Sequence, residues 1–197
     1  MRKLSTADII DLRAYERVRD ERRRANIERK KRRRIALGDF ISVVFENTDT
    51  MWFQIHEMAR AEKMLRDEQI AHEVDTYNGL IPDDGQLSCT LFIELDDEWK
   101  LREWLPRLVG IEDAVRLRMA DGTEVPGYDP EAARLTRGDI TAAVHFLKFD
   151  FDDSARAQFL TAPAMLVLDH PQLQIETPLD DTQLAELRAD LDTQVRQ

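Results

Sequence analysis

One cysteine, Cys89, is present in 197 residues. A single thiol can close neither an internal disulfide nor a zinc cluster, and its apolar surroundings argue against a catalytic thiolate. A reducing cytoplasm is therefore the expected location. Long apolar runs are also missing. AMLVL at 164–168 is among the longest, far short of the roughly 20 residues of a membrane-spanning helix. The stretch MRKLSTADII has cations but no apolar core, so no secretory signal is expected. Glycine is scarce, at 7 residues. Neither G-x-x-x-x-G-K nor G-x-G-x-x-G occurs, which leaves no phosphate-cradling loop, and no G-x-S-x-G marks a hydrolase nucleophile. Repeats, low-complexity tracts and an obvious interdomain linker are absent as well.

Charge is abundant and unevenly placed. Residues 1–38 hold 14 Lys and Arg against 6 Asp and Glu, a net +8, while the other 159 residues hold 14 against 33, a net −19. The division is into a basic N-terminal helical arm, 1–38, and a single α+β domain, 39–197. Opposite charge predicts that the arm packs on its own body or on a second copy. Arg29, Lys30, Lys31, Arg32, Arg33 and Arg34 are the candidates for an external anionic partner. Nucleic acid is not favoured, because the run has no interleaved aromatic to stack on bases.

Periodicity supplies the elements. Ser5 or Thr6 can cap a long basic helix in which Leu12, Tyr15, Val18 and Ala25 share a face. RIALGDFISVVFEN reads as two strands around Gly38-Asp39, and AVRLRM-ADG-TEVPGY as a hairpin at Asp121-Gly122. LSCTLFIEL and ITAAVHFLKFDF read as strands. AMLVLDHPQLQIETPL reads as one strand interrupted at 169–171. Helices are predicted over about 49–66, over DEQIAHEVDTYN, DDEWKLREWLPRLVG and DDSARAQFLTA, and over DDTQLAELRADLDTQV. DPEAARLTRGD is an irregular or short helical link. The sum is an α+β fold, a mostly antiparallel sheet packed by helices.

Polar residues on apolar faces are the candidate site. At about 100° per residue, Glu62 falls at the centre of the stripe formed by Met51, Ile55, Met58 and Leu65, with Gln54 beside it and His56 on the exposed side. A buried carboxylate needs a partner. An arginine from 22–34 would make an ion pair, and a metal or ligand is the alternative to it; a different helix phase would remove the question. His145 shares its strand side with Leu147 and Phe149, and His170 alternates with Leu166 and Leu168. Both suit hydrogen-bonded core positions. With Glu62 they also form a ligand set for a divalent metal such as iron, manganese or zinc.

The segments KKRRRIALG (30–38), FENTDTMWFQIHEMARAE (45–62), YNGLIP (77–82), LVGIED (108–113), AVHFLKF (143–149) and DHP (169–171) resemble an uncharacterised bacterial family, a domain of unknown function of about this length. Genes of that family often lie beside those of a rubrerythrin-like di-iron protein and an iron–sulfur oxidoreductase. The resemblance therefore implies a redox or oxidative-stress setting, with redox proteins among the partners. It carries over no catalytic residues. The reading is an accessory or binding protein of such a pathway. A metal-dependent enzyme using Glu62, His145 and His170 is the alternative, and a nucleic-acid or ribosome-associated protein using the arm is a third.

Overall fold

A computed structural model describes residues 1–130 and 139–192. A short 3₁₀ turn, Thr6–Asp8, precedes helix α1, Leu12–Arg33. Asp11 caps α1 by accepting the Ala14 N–H at 2.9 Å, so the helix begins later than Ser5 or Thr6 would place it. Strands β1, Arg34–Leu37, and β2, Ile41–Phe45, turn at Gly38, whose φ of 72° favours glycine. Helices α2, Thr48–Ala61, and α3, Asp67–Asn78, lead to β3, Gln86–Ile93. Helix α4, Glu98–Arg107, and a 3₁₀ turn, Ile111–Asp113, precede β4, Val115–Met119, and β5, Glu124–Tyr128. The chain continues through β6, Val144–Asp150, α5, Asp153–Thr161, β7, Ala164–His170, β8, Leu173–Pro178, and α6, Asp181–Leu191. The link expected around 130–139 lies mostly outside the described residues.

The eight strands form one antiparallel sheet in the order β1-β2-β3-β6-β5-β4-β7-β8. The sheet curls until its two edges almost meet. Thr177 on β8 donates its hydroxyl to the Ala36 carbonyl of β1 at 2.9 Å, and Gln183 of α6 donates to the Arg34 carbonyl at 2.9 Å. Side chains thus satisfy edge carbonyls that would otherwise be open to a further strand. Inside lie Val43, Phe45, Leu91, Leu117, Leu147, Phe149, Leu166 and Leu168. At Gly127 the Phe149 ring occupies the space a side chain would need, with its Cε1 only 2.9 Å from where a Cβ would stand.

Helix α1 packs against β2, and every residue of β2 is buried rather than every second one. Ser42 and, on β3, Thr90 are buried as well as the alternating apolar positions. A second, smaller core joins Leu4 to Met51, Ile55, Val74 and Ile81. The Asn78 side chain fixes this N-terminal segment by exchanging two hydrogen bonds with the Leu4 backbone, each 2.8 Å.

Three sequence expectations need correction. Helix α2 stops at Ala61, not near 66; Glu62 is its C-cap and Lys63 takes a positive φ of 52°. The stretch 164–178 is a hairpin of two paired strands, not one interrupted strand: His170 pairs with Leu173 across Pro171-Gln172. Ala25 on α1 is exposed, while Asn26 is buried. The docking seam of α1 is Tyr15, Arg19, Arg22, Asn26, Arg29 and Arg33, which steps by four and three residues like a coiled-coil seam but is almost wholly polar. Among the described residues, no helix is long and apolar enough to cross a membrane.

Candidate functional site

Helix α2 is covered on two sides. Its Met51–Ile55 side meets the small core, and its Trp52–His56 side meets α1. His56 is therefore buried, at 2% exposure, where the single-stripe reading put it in solvent. Its ring stacks on Trp52 with centroids 3.9 Å apart and on Tyr15 at 4.6 Å. Burial pushes its pKa down, against the Trp52 carbonyl that favours the charged form. Tyr15 donates its hydroxyl to Glu57 at 2.9 Å, and Arg19 grips both oxygens of Glu57 at 2.8 Å. Arg19 holds the Glu57 carboxyl below its usual range, while burial raises the Tyr15 phenol.

Beside this aromatic group opens a cleft of about 440 Å³, within the range of small-molecule sites. Tyr15 and His56 form its floor, and Ile9, Leu12, Met64 and Ile70 are among its apolar walls. Among the described residues, its two charged lining residues are Asp11 and Asp67, and no lysine or arginine lines it. Leu65 belongs to this rim and is 80% exposed.

The other expected site residues fall elsewhere. Glu62 is exposed, because the apolar stripe it seemed to centre runs past the end of the helix. Gln54 is half-buried and lies beside Tyr77 of α3. Three antiparallel steps separate β6 from β7, so His145, near the start of β6, and His170, at the end of β7, lie toward the same end of the sheet. Their partners differ. His145 Nε2 is 2.8 Å from the Thr141 hydroxyl and 3.1 Å from the Ala142 carbonyl, and its Nδ1 is 3.4 Å from Asp129 and 4.0 Å from Glu112. His170 Nε2 sits 3.1 Å from the Val109 carbonyl, and its Nδ1 accepts the Gln172 N–H at 3.2 Å. Among the described residues, no three His, Cys, Asp or Glu side chains are grouped to hold a metal. The Glu62–His145–His170 ligand set is thus not assembled.

Most of the cations proposed for an external anion are engaged within the chain. Arg29 pairs with Asp49 at 2.9 Å, Lys31 with Glu28 at 2.7 Å, Arg32 with Glu186 at 2.6 Å and Arg34 with Glu94 at 2.9 Å. Arg33 pairs with Asp190 and Glu186. Lys30 is half-buried at the end of α1. A wide groove between α1, the start of α2 and α6 is lined by Arg2, Arg29 and Arg32. Each of these has a carboxylate partner: Asp8, Asp49 and Glu186.

These placements set an order of stability for two carboxylates close in sequence. Glu62→Ala should leave the denaturant midpoint within about 0.5 kcal/mol of the wild type, as at an ordinary surface position. Glu57→Ala should cost about 1–3 kcal/mol, because it strands the Tyr15 hydroxyl and Arg19. Urea melts of the two variants decide it; a larger loss at Glu62 would overturn the placement.

Fold and cleft define an α+β protein with a nearly closed antiparallel sheet and a helical flank that carries the concavity. The family model "Protein of unknown function (DUF3501)" matches residues 3–191, and the chain belongs to that family. A crystal structure at 1.90 Å of a protein of unknown function from Burkholderia pseudomallei K96243 is similar throughout. The two are 37% identical with a TM-score of 0.90, over 97% of this chain and 100% of that one. Comparison with curated proteins gives no match.

Proposed function

We propose that this chain is an accessory binding protein that takes, in the cleft beside Tyr15 and His56, a small ligand with an apolar body and a cationic head. One observation carries the reading: the walls are largely apolar and both charged lining residues are acidic. An apolar body gains by leaving water, and an ammonium at the mouth meets Asp11 and Asp67. The tyrosine hydroxyl and both imidazole nitrogens are already committed to protein partners, so orientation falls to the rim carboxylates. The proposed setting is a bacterial, cytoplasmic redox or oxidative-stress pathway. It rests on the gene neighbourhood that the family resemblance implies.

Phenylbutylamine and phenylbutyrate make a matched pair of probes at pH 7. The amine should shift the Leu12 and Ile70 methyl resonances saturably, and phenylbutyrate should not. Asp11→Asn keeps the helix cap yet removes a charge. It and Asp67→Asn should each weaken the amine by up to about fivefold, equivalent to roughly 1 kcal/mol. Equal binding of both probes, or no shift from either, would overturn the proposal.

A further inference from the structure

His56 ties together backbone segments 46 residues apart. Its Nδ1 lies 2.7 Å from the Trp52 carbonyl, one turn back on α2. A ring nitrogen facing a carbonyl must carry the proton, so Nε2 holds the lone pair. That nitrogen accepts the Ile10 N–H at 3.2 Å. Ile10 stands between the 3₁₀ turn and the Asp11 cap, and Ile9, Ile10 and Asp11 all line the cleft. The neighbouring parts of the segment have anchors of their own: Leu4 on Asn78, and the Asp8 carbonyl on the Trp52 indole N–H at 2.9 Å.

A second proton on the ring would set an Nε2–H against the Ile10 N–H. Two donors cannot share that contact, and the amide would lose its acceptor. The charged and titratable groups around the ring do not offset this. From α1 come Tyr15, Arg19 and Arg22, with Arg22 seated 5.1 Å over the Trp52 ring. From α2 comes Glu57, the carboxylate that would favour an imidazolium, but Arg19 and Tyr15 already occupy it. Arg60 of α2 is paired with Glu16. Asp11 and, from α3, Asp67 line the cleft.

We propose that His56 is an acid-released latch: its neutral ring holds Ile9–Asp11 in place as one wall of the cleft, and protonation frees that wall. The effect on ligand rests on the binding role proposed for the cleft, whereas the latch itself does not. With the wall released the ring titrates near its ordinary value of about 6.5. With the wall held, burial lowers that value. The closed form is therefore fully favoured above about pH 6.5. Below it, the ratio of open to closed rises by up to about tenfold per pH unit, until the closed form's own lower pKa is reached.

Amide exchange measured by NMR on the full chain between pH 7.5 and 5, corrected for intrinsic rates, tests this together with the His56 Cε1 proton shift. Ile10 protection should begin to fall near pH 6.5 and go on falling until the ring is fully protonated, while Ile55 and Val74 remain protected. His56→Phe keeps an aromatic ring against Tyr15 and Trp52 without an acceptor, so Ile10 should exchange fast at every pH. If that variant does not fold, the wild-type titration decides alone. Ile10 protection that persists through complete titration of His56 would overturn the latch, as would acid release retained in His56→Phe. A cleft that binds neither probe while Ile10 still follows His56 would sink the ligand proposal and leave the latch standing.

Discussion

Replacing Arg33 by methionine is expected to cost about 3–5 kcal/mol at pH 7, whereas Arg32→Met, one residue earlier, should cost under about 1 kcal/mol. Both arginines reach Glu186, so a count of ion pairs does not separate them. Burial does: the Arg33 side chain is 1% exposed and that of Arg32 is 44% exposed. Arg33 donates Nε–H to the Phe45 carbonyl at 2.8 Å and Nη2–H to the Glu46 carbonyl at 3.2 Å, and it pairs with Asp190. It thus joins α1, the end of β2 and α6. Methionine would fill much of the stem's volume but strand two carbonyls and a buried carboxylate.

The same site gives a pH signature. Burial pushes the Asp190 carboxyl up despite the adjacent guanidinium. A carboxyl whose folded pKa lies above its unfolded value, about 3.9, adds stability in the protonated form. That contribution is complete below the unfolded value and is lost as pH rises through the folded one. Without Arg33 the folded value should climb further. The deficit of Arg33→Met relative to wild type should therefore be smaller at pH 4.5 than at pH 7, and adding Asp190→Asn should recover part of the loss at pH 7. Urea midpoints at the two pH values measure this. Equal shifts for the Arg32 and Arg33 variants would sink the argument.

The strands were legible because alternation survives wherever one face meets the core: Ile41, Val43 and Phe45 point inward as their spacing demands. Alternation could not reveal that Ser42 and Thr90 are buried on the outer face as well, Ser42 by hydrogen bonds with Arg34 and Glu94 and Thr90 by one to Glu46. Helix α1 was harder to read. Its seam has coiled-coil spacing, but Tyr15 and Asn26 stand among four arginines, and an apolar count finds nothing in such a row. The signal was present as a four-three repeat of long polar side chains, of which Arg19 and Arg29 face Glu57 and Asp49 of α2 and Arg33 faces Asp190 of α6. Helix α2 lacks the glycine or proline that usually announces a stop. The stripe therefore ran on in sequence through Glu62 to Leu65, although the helix ends at Ala61. Both the misplacement of Glu62 and the unexpected burial of His56 follow, since one stripe cannot describe a helix covered on two sides.

His145 and His170 looked alike in sequence, each at an inward position of its strand, and their substitutions should separate them. His145→Leu is expected to cost about 3–5 kcal/mol and His170→Leu about 1–2 kcal/mol. His145 is fully buried and bridges segments distant in sequence: the 3₁₀ turn with Glu112, the end of β5 with Asp129, and Thr141 just before β6. Both of its nitrogens face oxygens, one hydroxyl and one carbonyl at Nε2 and the two carboxylates at Nδ1. No spacing rule links positions 112, 129, 141 and 145, so the cluster could not be read before the topology was known. A leucine would remove the ring that faces both buried carboxylates. His170 instead closes a hairpin, accepting the Gln172 N–H and reaching the Val109 carbonyl. Its loss leaves two backbone groups short of a partner beside the exposed Pro171-Gln172 turn, where water can replace them. Guanidinium melts of the two variants should therefore differ in midpoint with similar slopes. Coincident midpoints would mean that the His145 cluster is held by its other contacts and that the imidazole is dispensable to it.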